Sequence, residues 1–227
     1  MVFNLPDASV FAESVNFYSA EFEGILAKVV LCYRMMINGG VAVSNNEEKI
    51  RDLLYSQYLN NNDVRNSIGL NFNIVCEPAE YSEDGKCTGY VDLRVFSRNS
   101  LTDTSAYFII ECKRLDNQNL KGETGLNAKY IKDGIMRFVN KQYSANKHLN
   151  GMIGFVVESM NISGNIDNIN NLLKNKYACS NTLTKLTVTD FIQDFDYQYY
   201  SEHKVIEKHK KVKLYHLMFD FSKNMQA

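Results

Sequence analysis

The chain has 227 residues, 45% hydrophobic and 22% charged, with a formal net charge of −1. That length is enough for one domain with a substantial core. The near-neutral balance excludes a protein that coats nucleic acid through its overall field, while leaving room for a local field at a site.

Other broad classes fall away on the same grounds. Glu21, Glu23, Lys28 and Arg34 interrupt the most apolar N-terminal stretch, so neither a membrane span nor a membrane partner is expected. No basic segment precedes an apolar run and a cleavage site, so a signal peptide is not expected either. Five cysteines at irregular spacings, with no CxxC pair, point to free thiols in a reducing cytoplasm and away from zinc.

Residues 11–38 carry helical periodicity. Phe11, Val15, Tyr18, Phe22, Ile25, Val29 and Met36 fall roughly on one stripe, and Asn38-Gly39-Gly40 stops it. A second helix is predicted from Ser44, because Ser44-Asn45-Asn46-Glu47 has the form of a capping box, and it should run to Asn60-Asn61-Asn62. A strand comes next over 70–77. Glu83-Asp84-Gly85-Lys86 then turns the chain into a return strand over 87–96. The next strand, 107–113, places Tyr107, Ile109, Glu111 and Lys113 on one face and Phe108, Ile110 and Cys112 on the other. A helix over 126–141, a strand over 152–158 and a helix over 167–176 continue the order. Strands over 197–200 and 213–221 enclose a lysine-rich segment (Lys204, Lys208, Lys210, Lys211, Lys213). Mixed in this way, the elements predict an α/β fold in three layers.

The chemistry concentrates on one strand. Glu111 and Lys113 are two residues apart, so a strand projects them from the same face, and Asp92 on the preceding strand can converge with them. Two carboxylates beside an amine suit a hard divalent ion that takes oxygen ligands, with a cation at hand for charge developing on a phosphate.

Asp92, eighteen intervening residues and then Glu111-Cys112-Lys113, set between a capped helix and a second helix downstream, resemble the PD-(D/E)xK phosphodiesterases of the restriction-endonuclease-like superfamily. The resemblance spans about Ser44 to Glu158. It implies a restriction-endonuclease-like three-layer core with a mixed central sheet flanked by helices, residues 1–40 forming an N-terminal helical addition and residues 159–227 a C-terminal helix and strands. Carried over by position, Asp92, Glu111 and the Cys112 carbonyl would hold Mg²⁺, with Mn²⁺ as the alternative ion, and Lys113 would position or activate the attacking water. Val91 stands where a proline often precedes the aspartate.

Glu47 is a candidate fourth member on the first core helix, with Glu48 and then Glu77 behind it. On the helix after the Glu-x-Lys strand, Arg137, Lys141 and Tyr143 are candidate nucleic-acid contacts, with Gln142 a weaker one. His203, beside the basic stretch, is better placed for a phosphate than His216, for which a structural role is the default. The aromatic residues Phe195, Tyr197, Tyr199 and Tyr200 could stack on bases but suit packing better.

The expected activity is a Mg²⁺-dependent nuclease acting on DNA, with RNA as the other substrate. A catalytically silent nuclease-fold subunit that binds nucleic acid or scaffolds an assembly is the alternative. With no separate recognition module in the sequence, activity would need a protein partner or a homo-oligomer to control it. By analogy this suits an effector of a microbial anti-phage defence system or mobile element. Helix 11–38 could then be a docking surface.

Overall fold

A computed structural model describes residues 8–81, 85–140, 149–205 and 210–226, with side chains described from residue 17 onward. The chain begins with a long helix, α1 (Ala8–Asn38), followed by α2 (Glu47–Leu54), which widens into a π-helical turn over Tyr55–Leu59, and α3 (Asn62–Ile68). The strands β1 (Ile74–Cys76), β2 (Ala79–Tyr81), β3 (Cys87–Tyr90), β4 (Leu93–Phe96) and β5 (Tyr107–Leu115) come next. A helical stretch then runs through α4 (Leu126–Tyr130), a π-helical turn (Ile131–Ile135) and α5 (Met136–Val139). Strand β6 (Leu149–Val156), helix α6 (Ile162–Asn175) and strands β7 (Thr182–Val188), β8 (Gln198–Lys204) and β9 (Lys211–Asp220) complete the order.

Seven strands make one mixed sheet in the order β1-β4-β5-β6-β9-β8-β7. The centre, β5-β6-β9, is parallel and both flanks are antiparallel. Every residue of β6 is buried, as a parallel strand covered on both faces must be. Helices α1 to α3 pack on one face, where Phe22, Ile25, Val29, Ile50 and Leu54 meet Leu93, Phe108, Ile110 and Cys112. Helices α4 to α6 cover the other, where Tyr130, Ile131, Ile135, Ile166 and Ile169 meet Ile109, Met152 and Met218. The fold is therefore α/β, with helices on both faces of a mixed sheet.

Helix α1, expected as an addition, supplies much of one core. Phe22 stacks on Phe108 with centroids 4.5 Å apart, and Tyr33 stacks on Phe219 at 4.3 Å. Burying one such phenylalanine contributes roughly 1.5–3 kcal/mol, and the face that does so is not available for docking. The positions Phe11 and Val15 lie outside the described side chains. The strand alternation of β5 is as expected, with Phe108, Ile110 and Cys112 in one core and Ile109 in the other.

Several local expectations need correction. The α2 cap is Asn46, not Ser44: Asn46 is extended (φ −144°) and its side-chain oxygen accepts the Lys49 N–H at 3.0 Å. Glu47 is thereby free of a capping task. The second helix ends at the asparagine run as expected, its π-helical turn stopping at Leu59 with Asn60 as C-cap, but Asn61 then caps α3, which was not expected, by accepting from Asp63 and Val64 N–H. The strand expected over 70–77 shortens to β1. The return strand over 87–96 breaks at Val91-Asp92, since β2 and β3 pair as a separate two-stranded sheet and only β4 joins the main one. The Asp-Gly turn of that hairpin lies partly in residues 82–84, outside the described residues, as does Lys208. Strand β7 has no counterpart among the predicted elements.

His203 does not face a phosphate. It is buried, with Nε2 hydrogen-bonded to Ser201 Oγ at 2.8 Å and Nδ1 3.0 Å from the Ser180 carbonyl. His216 shares the same Ser201 hydroxyl through Nε2 and meets the Tyr130 hydroxyl through Nδ1, both at 2.8 Å. Burial lowers the basicity of both rings, to about 4 for His203 and about 3 for His216. Phe195 and Tyr199 are buried, which matches packing. Among the described residues no helix is long and apolar enough to cross a membrane.

Candidate active site

The site is built on an open strand edge. Register pairs Leu93 with Ile110, so β4 starts opposite Ile110 while β5 runs on to Leu115. Beyond that point the edge of β5 has lost its ladder partner. Backbone groups on a strand point alternately to the two sides, so Cys112 and Arg114 both present their N–H groups to the vacated edge. Carboxylates take them: Cys112 N–H donates to Asp92 Oδ2 at 2.7 Å, and Arg114 N–H donates to Glu47 Oε2 at 2.8 Å. The break before β4 thus puts Asp92 where a strand would have continued, and the α2 N-terminus adds Glu47 beside it. Leaving either amide unpaired would cost about 1–3 kcal/mol.

Lys113 lies at the centre. Its Nζ is 2.7 Å from Glu111 Oε1, 2.7 Å from the Cys112 carbonyl, 3.0 Å from Glu47 Oε1 and 3.8 Å from Asp92 Oδ2. Gly134, in the π-helical turn, lets the lysine stem and Met152 approach, for a Cβ there would sit 2.4 Å from Met152 Cε. Arg137, three residues on, reaches Glu111 Oε1 at 2.8 Å. A π-helical turn carries an extra residue and so rotates the next turn around the helix axis. Arg137 owes its direction to it.

Arg51, absent from the sequence-derived set, completes the shell. Its Nη1 donates to Asp92 Oδ1 at 2.8 Å, while Nη2 meets Asp52 at 2.7 Å and Glu77 at 3.0 Å. Glu77 holds a left-handed backbone (φ 52°), and its N–H donates to the Asp92 carbonyl at 3.1 Å. The strain of that conformation is thus tied to fixing Asp92. Arg51 lies four residues after Glu47, the spacing that puts two side chains on one helix face, and that was the signal available for it.

The electrostatics come from burial. Glu111 is fully buried, and desolvation followed by the charge of Asp92 pushes its carboxyl up to about 7, against the pull of Lys113 and Arg137. Burial opposes the charge on Lys113, but Glu111, Asp92 and Glu47 outweigh it and hold the amine above the ordinary lysine range. The surrounding carboxylates thus favour the charged ammonium form of Lys113. Burial also raises the Cys112 thiol well above its usual value, so the side chain is inert and only its backbone serves the site.

The structure thus brings Glu47, Asp92, Glu111, Cys112, Lys113 and Arg137 together. Glu48 is exposed on α2 and takes no part, and Glu77 serves as a partner of Arg51. Lys141, Gln142 and Tyr143 lie outside the described residues. Among the described residues no three His, Cys, Asp or Glu side chains are arranged as around an ion; the carboxylates that converge do so on the Lys113 ammonium. The donor set nonetheless fits Mg²⁺ in kind, being all hard oxygen. A buried carboxyl already burdened by a neighbouring carboxylate has most to gain from a cation.

Fold and site together define an α/β protein with a carboxylate–lysine cluster at an open edge of its mixed sheet. No protein-family model, no curated protein and no solved structure matches the chain.

Proposed function

We propose that the chain is a Mg²⁺-dependent nuclease of the PD-(D/E)xK kind, with a restriction-endonuclease-like core, that hydrolyses DNA phosphodiesters. One observation carries the reading: three carboxylates from three separate segments and the Cys112 carbonyl gather within 4 Å of Lys113 Nζ where β5 is uncovered. Capping the free N–H groups of Cys112 and Arg114 accounts for one oxygen each of Asp92 and Glu47, but not for the buried Glu111 or for the lysine they surround. The element order supports it too, with a helix before, Asp92 just ahead of β4, which runs antiparallel to the Glu-x-Lys strand, and a parallel strand after an intervening helix.

In this reading Asp92, Glu111 and the Cys112 carbonyl hold the ion, with Glu47 beside them. A bound divalent ion supplies a water of lowered pKa and offsets charge on the phosphate. Lys113, fixed by Glu47 and Glu111, orients the nucleophile and stabilises the charge that builds on the phosphoryl oxygens. Arg137 at the rim presents a planar fork to a phosphate.

The test uses purified protein with plasmid, linear duplex, single-stranded DNA and RNA, in Mg²⁺, Mn²⁺ or EDTA, alongside Glu111→Ala and Lys113→Ala. Cleavage of DNA that needs the ion and disappears in both variants is the expected result. Inertness on every substrate, with nucleic-acid binding equal in wild type and variants, would turn the assignment to the second reading. That reading is a catalytically silent nuclease-fold subunit, and it draws on the ion pairs that already neutralise each of the three carboxylates.

A further inference from the structure

Among the described residues the three site carboxylates meet Arg51, Lys113 and Arg137, and the two arginines differ in burial. Arg51 is buried, with only 5% of its side chain exposed, and it joins Asp52, Glu77 and Asp92 at once. Withdrawing it would strand a buried guanidinium and release Asp92. Arg137 is 30% exposed, close to the end of α5, and its Nη1 meets the fully buried Glu111 at the same oxygen that Lys113 uses. A guanidinium 2.8 Å from that oxygen opposes a divalent cation approaching the same atom. The same guanidinium is a bidentate match for a phosphate, which offers it several strong acceptors.

We propose that Arg137 is a gate coupling nucleic acid to the ion. In the free protein it stays on Glu111 and weakens the hold on a divalent cation. A DNA phosphate arriving at the open edge draws the guanidinium off, and the Glu111 oxygen becomes available to the ion. The proposal rests on the nuclease reading and adds regulation to it, namely that phosphodiester and ion bind cooperatively through one side chain. By reciprocity the ion must strengthen DNA binding by the same factor that DNA strengthens ion binding. Nuclease activity is thereby held low until substrate is present, with no partner required for that part of the control.

Two measurements on the full chain test it without relying on cleavage. Calorimetric titration of Mg²⁺ into the free protein should show Arg137→Gln binding about 5-fold or more tighter than wild type. Arg137→Lys, which keeps the charge, should stay near wild type. In fluorescence anisotropy with a labelled duplex of uncleavable phosphorothioate linkages, adding Mg²⁺ should tighten wild-type binding more than it tightens Arg137→Gln, by about the same factor. Equal Mg²⁺ affinity in wild type and Arg137→Gln, or an equal Mg²⁺ effect on duplex binding in both, overturns the gate and leaves the nuclease reading standing. If wild type binds no Mg²⁺ with or without duplex, the nuclease reading and the gate fall together.

Discussion

Two buried polar clusters share one face of the sheet, and even one cross-strand row. Glu111 pairs with Met152, Met152 with His216 and His216 with Tyr199, so the methionine alone separates the acidic site from the histidine chain along that row. The strands are roughly 5 Å apart, yet the two ends of the row differ in kind. On the β5 side every group is charged and the cluster opens outward through Glu47, Asp92 and Arg137. On the β9 side Tyr130, His216, Ser201 and His203 pass neutral hydrogen bonds from one to the next, all buried. A neutral chain whose members partner one another is complete as it stands. The charged cluster is held by opposing charges as well as by backbone hydrogen bonds, and a substrate or an ion can compete for the charged contacts. Burial therefore does not separate structure from chemistry here, whereas the state of charge and the route to solvent do.

The largest expected effect sets the two ends of the row against each other. Lys113→Met should lower DNA cleavage by about 10²-fold or more, the scale of losing one transition-state donor. His216→Asn should lower the melting temperature, at a cost of about 1–3 kcal/mol for the hydrogen bonds it disturbs. Measured well below its own melting temperature, that variant should cleave within a few-fold of wild type. Comparable losses of rate in both would mean that the histidine chain belongs to the chemistry and would erase the contrast.

The second effect is on stability against pH. Burial drops the histidines from an ordinary value near 6.5 to about 4 for His203 and about 3 for His216. The folded state then binds fewer protons than the unfolded one at pH values between these limits, so stability rises with pH across that window. Their contribution is in full above about 6.5 and is lost as the pH falls toward 4 and 3. For His203 alone the loss is on the order of 3 kcal/mol. Urea unfolding from about pH 7 to about pH 4 should show this decline, and His203→Gln should flatten it. An unchanged slope in the variant would locate the acid sensitivity in the charged cluster instead.

These two clusters were unequally legible in the sequence. Alternation along 107–113 places Glu111 and Lys113 on one face because a strand between two cores has no freedom to do otherwise, and Asp92 is reached through its antiparallel neighbour. The break that gives Asp92 its position could not be read, since Cys87 to Phe96 looks like one strand until the β2–β3 hairpin is seen to leave the sheet. Beyond its spacing from Glu47, Arg51 gave little away, because its value comes from carboxylates brought from the residue after β1 and the turn before β4. His203 was drawn to the lysines beside it in sequence, while its partners Ser180 and Ser201 come from a short helical turn and its own strand. Strand β7 escaped because it is an edge strand, largely exposed and polar, and so carries little hydrophobic alternation. Helix α3 escaped because Asn61, in the run that ends the preceding helix, is also the cap that starts the next.

The smallest effect probes how Glu47 reaches the charged end. Asn46 caps α2 through Lys49 N–H, which leaves the Glu47 carboxylate to span Arg114 N–H with one oxygen and Lys113 Nζ with the other. Losing an asparagine cap costs about 1 kcal/mol, or about 2–4 °C of melting temperature in a chain of this size. Asn46→Ala should show that modest shift in a thermal melt, and Asn46→Asp, which retains an acceptor, should show little of it. Fraying at the first turn also loosens Glu47, so the cleavage rate of Asn46→Ala should fall more than its stability does, and the acid decline set by the histidines should be untouched. If the cap variant steepened that acid decline while sparing the rate, the two clusters would be coupled through the fold, and Glu47 would be a bystander to the charged edge.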